Sequence, residues 1–226
     1  MKRLVAISIL FLLILSIFIF PLDRFGSSVF YISLAFAVCA LFLSSWNTNV
    51  MKGLAYLRLA PKWKHAPVLI LQSFVLFVAC AAVTVTITGI FLLAGALDTK
   101  NVYDKVVLLP LPVLILAFTL APLGEEMFFR GFVFRKIGEW LVERRANERW
   151  VAGQISEIIP WIIGALASSA FFALMHASYG SVAELAVAFA VGLVLCIGVK
   201  RTNSLVPAVL AHAAFNFVSI FMAVFL

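Results

Sequence analysis

The sequence predicts an all-α fold, a polytopic bundle of about seven transmembrane helices. Composition gives the first reason: of 226 residues, 65% are hydrophobic and only 12% charged, against about 45–50% and about 25% in soluble domains. Uncharged runs give the second, recurring at lengths near the ~20 residues that cross ~30 Å of hydrocarbon. The third is that these runs lack the period-2 alternation of barrel strands, the other structure that satisfies its own backbone in lipid. A soluble globular domain is excluded. The formal charge of +7 suits membrane orientation and no nucleic-acid partner, because so apolar a chain offers little water-facing surface on which to gather bases.

The elements follow in order. The run 4–20, preceded by Lys2 and Arg3, is long for a signal peptide and ends without a small-residue cleavage site, so it reads as an uncleaved first helix. The further spans are 27–46, 67–97, 106–134, 158–177, 181–199 and 203–226. Connecting segments carry Lys and Arg unevenly: 13 fall on the side of the N-terminus and 3 (Arg24, Lys100, Lys105) on the other. This bias places the N-terminus in the cytoplasm and, with seven spans, the C-terminus outside. Segments 53–65 and 140–159 mix bases with Trp, Leu and Tyr, as helices lying on an anionic leaflet do, or as solvated basic loops do. Cys39, Cys80 and Cys196 lie in apolar runs without paired spacing and read as small buried hydrophobes.

Of the 27 charged residues, only Glu125, Glu126, Arg130 and Glu184 fall inside expected spans, joined by His176, His212 and Asn216. Ionised groups at the bilayer centre cost about 2.5–3.5 kcal/mol on insertion scales, and such residues usually face the bundle interior and serve function. Arg130 follows Glu126 by four places, about 40° around a helix, in the favourable order for an ion pair. Glu125 points about 140° away from Arg130 and is free to face a cavity. The paired carboxylate is thus held as an ion, and the other is the candidate base. A plain helix-stabilising ion pair is the alternative. Phe172 and His176 share one face, as do His212 and Asn216 with alanines between them. Taken alone, His176 also reads as a satisfied interfacial residue, and His212 with Asn216 as a hydrogen-bonded helix contact. Glu184 reads as a snorkelling carboxylate near a helix end, His65 as solvated, and Thr84, Thr86 and Thr88 as packing residues that do not share one face.

Together the three clusters resemble the CPBP group of CAAX proteases and bacteriocin-processing enzymes, which are intramembrane glutamic endopeptidases. The likeness rests on EExxxR at Glu125 to Arg130, FxxxH at Phe172 to His176 and HxxxN at His212 to Asn216, in that order. It divides the chain into N-terminal membrane helices, 1–105, and a four-span catalytic core, 106–226, with 137–157 as an insertion-like departure. The resemblance implies that Glu125 and His176 hold and deprotonate a water, that His212 and Asn216 stabilise the oxyanion, and that Glu126, Arg130 and Phe172 support the site. It implies a membrane-associated protein or peptide as substrate, the lipid bilayer as surroundings, a bacterial inner membrane as location and no cofactor. One Glu and two His could instead ligate zinc, although no HExxH is present. The alternative from another class is a non-catalytic scaffold or small transporter using the same buried ionisable groups.

Overall fold

Helices make up almost all of the computed structural model, which describes residues 28–46, 48–59, 63–146 and 154–225. The expected first span, 4–20, lies outside the described residues. In order the elements are α1 (Ser28–Ser45), α2 (Val50–Tyr56), α3 (Ala66–Leu93), α4 (Lys100–Val107), α5 (Leu111–Phe118), α6 (Leu120–Glu126), a π-helical stretch (Met127–Phe134), α7 (Arg135–Ala146), α8 (Gln154–Met175), α9 (Val182–Thr202) and α10 (Val206–Phe225). Among the described residues five helices are long and apolar enough to cross a membrane: Ala66–Leu93, Leu111–Arg144, Ile158–Tyr179, Val182–Thr202 and Val206–Phe225. α1 and α2, a pair bent by 103°, bring the number to six if they count as one broken span. The count agrees with the expected bundle of about seven.

Local chemistry sets the boundaries. Asn49 caps α2, its side chain accepting from the Lys52 amide at 2.9 Å. Pro67 stands in the first turn of α3, where a missing N–H costs nothing, and the helix ends before Gly95 at φ +66°. Ser181 caps α9, which closes on Asn203 in the left-handed region.

The expected single run 106–134 needs correction. Val106 belongs to α4, and Pro110 in extended conformation restarts the chain as α5. The helix breaks again at Thr119 (φ −114°, ψ −74°), because Pro122 cannot donate to the Phe118 carbonyl and its ring crowds that oxygen. The widened π turn follows directly on the two glutamates. Residues 140–146 are a continuation of this same helix, not a separate interfacial one. Leu111–Arg144 is 34 residues long, roughly 50 Å at 1.5 Å per residue, which exceeds the hydrocarbon core and carries α7 beyond it.

In lipid the helices gain little from burying apolar surface against each other, so close approach of small residues and dispersion hold them. α1 lies against α6 where Gly124 meets Ser33, and α8 lies against α9 where Gly192 meets Ser169. Aromatic rings link three layers: Phe36 of α1 stacks on Phe128 at 4.7 Å, and Phe129 meets Phe172 of α8 edge-on at 5.4 Å. α3 packs on α9 and α10, while Ile70, Leu71, Phe74 and Val85 stay exposed as lipid-facing residues. At the basic end the Tyr56 hydroxyl donates to Glu139 at 2.9 Å, Arg135 pairs with Glu139 at 2.8 Å, and α2 is thereby pinned to α7.

A Cβ on Gly124 would lie 2.0 Å from the Ser33 carbonyl oxygen. Gly124→Ala is therefore expected to push α1 from the motif helix and to lower stability by about 1–3 kcal/mol or more, as overpacking does. Thermal unfolding in detergent checks this, and a melting temperature equal to wild type would show that the contact yields freely.

Candidate active site

Glu126 is the organising group. Its Oε1 accepts from Arg130 Nη1 at 2.7 Å and from His212 Nδ1 at 2.9 Å, and Glu126 and Arg130 are both fully buried. The expected i,i+4 pair is present, and it is joined by a residue 86 positions further along the chain. The Arg130 guanidinium lies 4.2 Å from the centre of the Phe172 ring, a cation–π contact whose worth rises where water is absent. The Phe172 ring in turn stands between the two imidazoles, 4.7 Å from His176 and 5.7 Å from His212.

Both ring tautomers are fixed by these partners. His212 Nδ1 meets a carboxylate and His176 Nδ1 meets the Phe172 carbonyl at 2.9 Å, and since both oxygens only accept, both Nδ1 atoms carry hydrogen. The Nε2 atoms are left for chemistry. His212 Nε2 lies 3.8 Å from Glu125 Oε2, the residue that the helical-wheel argument left without a local partner.

Glu125, His176 and Asn216 line one cavity of about 550 Å³. His212 is not on its wall; it sits behind Glu125 with 3% of its surface exposed. Asn216 donates to the Ala117 carbonyl at 3.0 Å, next to the helix break at Thr119, and keeps its second amide hydrogen. Each sequence-derived site residue thus belongs to one connected group, although the four proposed reactive groups differ in access. Among the described residues no group of three or more His, Cys, Asp and Glu is placed to hold a metal ion.

Three residues with other sequence readings also line this cavity: Thr84, Thr88 and Glu184. Thr84 and Thr88 are four apart and do share a face, whereas Thr86 is exposed and bonds back to the Ala82 carbonyl. Glu184 lines the cavity, while the helix end is held by another residue. In the sequence Ser181-Val-Ala-Glu184 a capping box would draw Glu184 back to the Ser181 amide. Instead Asp98 accepts from the Ser181 hydroxyl (2.8 Å) and the amides of Val182 (2.7 Å) and Ala183 (3.2 Å). Asn101 donates to the Gly180 carbonyl at 3.3 Å and Lys105 to that of Ser178. The segment 98–105 is thus tied to residues 178–183 beside the cavity, and Thr99, Val102 and Tyr103 line it.

The Ser181 hydroxyl and the α9 amides hold the Asp98 carboxyl below the usual carboxylate range. A lowered folded pKa means that this group favours folding above the ordinary carboxylate pKa of about 3.9 and loses that effect as pH falls through the lower folded value. Asp98→Ala is expected to fray the first turn of α9 at neutral pH. Hydrogen exchange at the Val182 and Ala183 amides should rise, and unchanged protection would show that the cap is dispensable.

A helical membrane bundle that buries a Glu–Arg–His cluster beside an internal cavity defines an integral membrane protein with a polar site inside the bilayer span. The type II CAAX prenyl endopeptidase Rce1-like family matches residues 106–218, half of the chain, and the chain belongs to that family. An uncharacterized 24.3 kDa protein of Escherichia coli is 32% identical over 138 residues, covering 58% of this chain and 56% of the relative. The chain therefore spans a little over half of that relative's length. No solved structure matches.

Proposed function

We propose that the protein is an intramembrane endopeptidase that hydrolyses a peptide bond of a membrane-associated protein or peptide through a glutamate-activated water. One observation carries this reading: Glu125, His176 and Asn216 share a single cavity between membrane helices, with His212 held 3.8 Å behind Glu125. Family membership supports the same class of reaction.

In the proposed reaction a water lies between the Glu125 carboxylate and His176 Nε2. Glu125 takes one water proton as the oxygen attacks the peptide carbonyl carbon, and the carbonyl electron pair moves to its oxygen. The free amide hydrogen of Asn216 donates to that oxyanion, and a protonated Nε2 of His212, 3.8 Å behind Glu125, adds its charge to the stabilisation, in a site where fixed groups need little reorganisation. The carbon–nitrogen bond then breaks, and the proton on Glu125 passes to the leaving amine. Glu126 and Arg130 hold His212 and neutralise each other. The location proposed is a bacterial inner membrane with the N-terminus cytoplasmic. On that orientation the cavity, lined in part by α4, lies towards the face that carries few bases.

The test compares membrane-protein termini, by mass spectrometry, in cells expressing wild type or Glu125→Gln. New termini that require Glu125 and survive exhaustive chelation support the glutamate mechanism. Loss on chelation with rescue by zinc would replace it with a metal mechanism, and an unchanged set of termini would favour a scaffold.

A further inference from the structure

The cavity has a second carboxylate. Glu184 lines it together with Glu125, while none of its lining residues is Lys or Arg, although the chain has 17 bases to 10 acids. Asp98 and Ser181 satisfy the α9 terminus, and the Glu184 carboxylate forms no hydrogen bond or ion pair among the described residues. Tyr103 and Tyr179 line the same cavity, and the Tyr179 ring lies at 35° to that of His176 with ring centres 5.9 Å apart. A carboxylate beside aromatic faces is the combination that receives an ammonium or guanidinium group, through a charge-assisted hydrogen bond and cation–π attraction. The same wall disfavours a carboxylate, because like charges in a site of low dielectric repel.

Resting on the peptidase reading above, we propose that Glu184 is a specificity-determining residue that binds a cationic group of the substrate, a Lys or Arg side chain close to the scissile bond. The preferred substrate is thus a membrane-associated segment with a basic residue, and a free C-terminal carboxylate is excluded from this part of the cavity. Tyr103 and Tyr179 flank the bound cation. The tie of 98–105 to the 177–181 turn holds Tyr103 in position.

The experiment uses full-length protein in nanodiscs and membrane-length peptides bearing Lys, Gln or Glu in turn at each of several positions around a central segment. Wild type is expected to cut the best Lys peptide at least about tenfold faster than its Gln counterpart, and the Glu peptide slowest. E184Q should abolish the Lys–Gln difference, and E184K should reverse the order of Lys and Glu. Binding to Glu125→Gln protein, which retains Glu184 without the catalytic base, reads the same preference without turnover. Equal binding of Lys and Glu peptides by Glu125→Gln protein, or a Lys preference that survives E184Q, overturns the proposal. A Lys preference in binding without any cleavage by wild type keeps the cation site and defeats the peptidase reading instead.

Discussion

Glu125→Gln is expected to lower peptide hydrolysis by about 10³-fold, within the 10²–10⁴ range that a positioned general base supplies, while the protein stays folded. The amide is nearly isosteric with the carboxylate and can still hold a water, but it cannot take the water's proton. Among the described residues the Glu125 carboxylate has no side-chain hydrogen bond, and its one ion-pair contact is with His212 Nε2 at 3.8 Å. The melting temperature should therefore stay near that of wild type while turnover collapses. Glu126→Gln gives the contrast, because this carboxylate accepts from both Arg130 and His212. It should lower stability as well as activity. Quantifying a single cleaved peptide beside thermal unfolding separates the two patterns. Equal activity of Glu125→Gln and wild type would remove Glu125 from the chemistry.

Arg130→Met is the second large effect, and it falls on folding. Arg130 has no exposed surface, and its charge is met by Glu126 and by the Phe172 ring. Removing the cation leaves a buried carboxylate whose remaining partner is His212, and breaking a buried pair in this way costs about 3–5 kcal/mol. Two further guanidinium nitrogens, Nε and Nη2, have no hydrogen-bond partner, so the pair is held without full satisfaction. A charge-free double variant, Glu126→Gln with Arg130→Met, should consequently recover part of the lost stability. Unfolding of the single and double variants in detergent measures this coupling. Simple additivity would show that the two groups do not act as a unit.

The fold class was legible because lipid imposes length and apolarity on every crossing segment, and runs such as 67–97 and 203–226 reappear within a few residues as α3 and α10. The interruptions were less so. Pro110 and Pro122 are visible, yet whether a proline ends a helix or bends it depends on what packs against the freed carbonyl, and the π turn at Met127–Phe134 leaves no mark in hydrophobic periodicity. At the site, spacing sufficed for Glu126 with Arg130, since four residues on one helix fix a distance. It could not reveal that His212 closes on the same oxygen, because that contact needs two helices docked. Glu184 was misread for a related reason. Its place near the start of α9 gives no sign of the cavity, which forms only when α3, α4 and α10 pack beside it. The signal available was Asp98, an acidic residue just after an apolar helix, with the helix-capping Ser181 far along the chain for it to meet.

The single oxygen shared by Arg130 and His212 also bears on how the chain enters the membrane. During synthesis Glu126 and Arg130 leave the ribosome before His212, which lies 86 positions after Glu126. A lone ion at the bilayer centre costs at least about 2.5–3.5 kcal/mol to insert, and at that moment the local i,i+4 partner is the means of neutralising it. The arginine therefore serves as an escort for the carboxylate into the bilayer, and the histidine docks only once the last helix arrives.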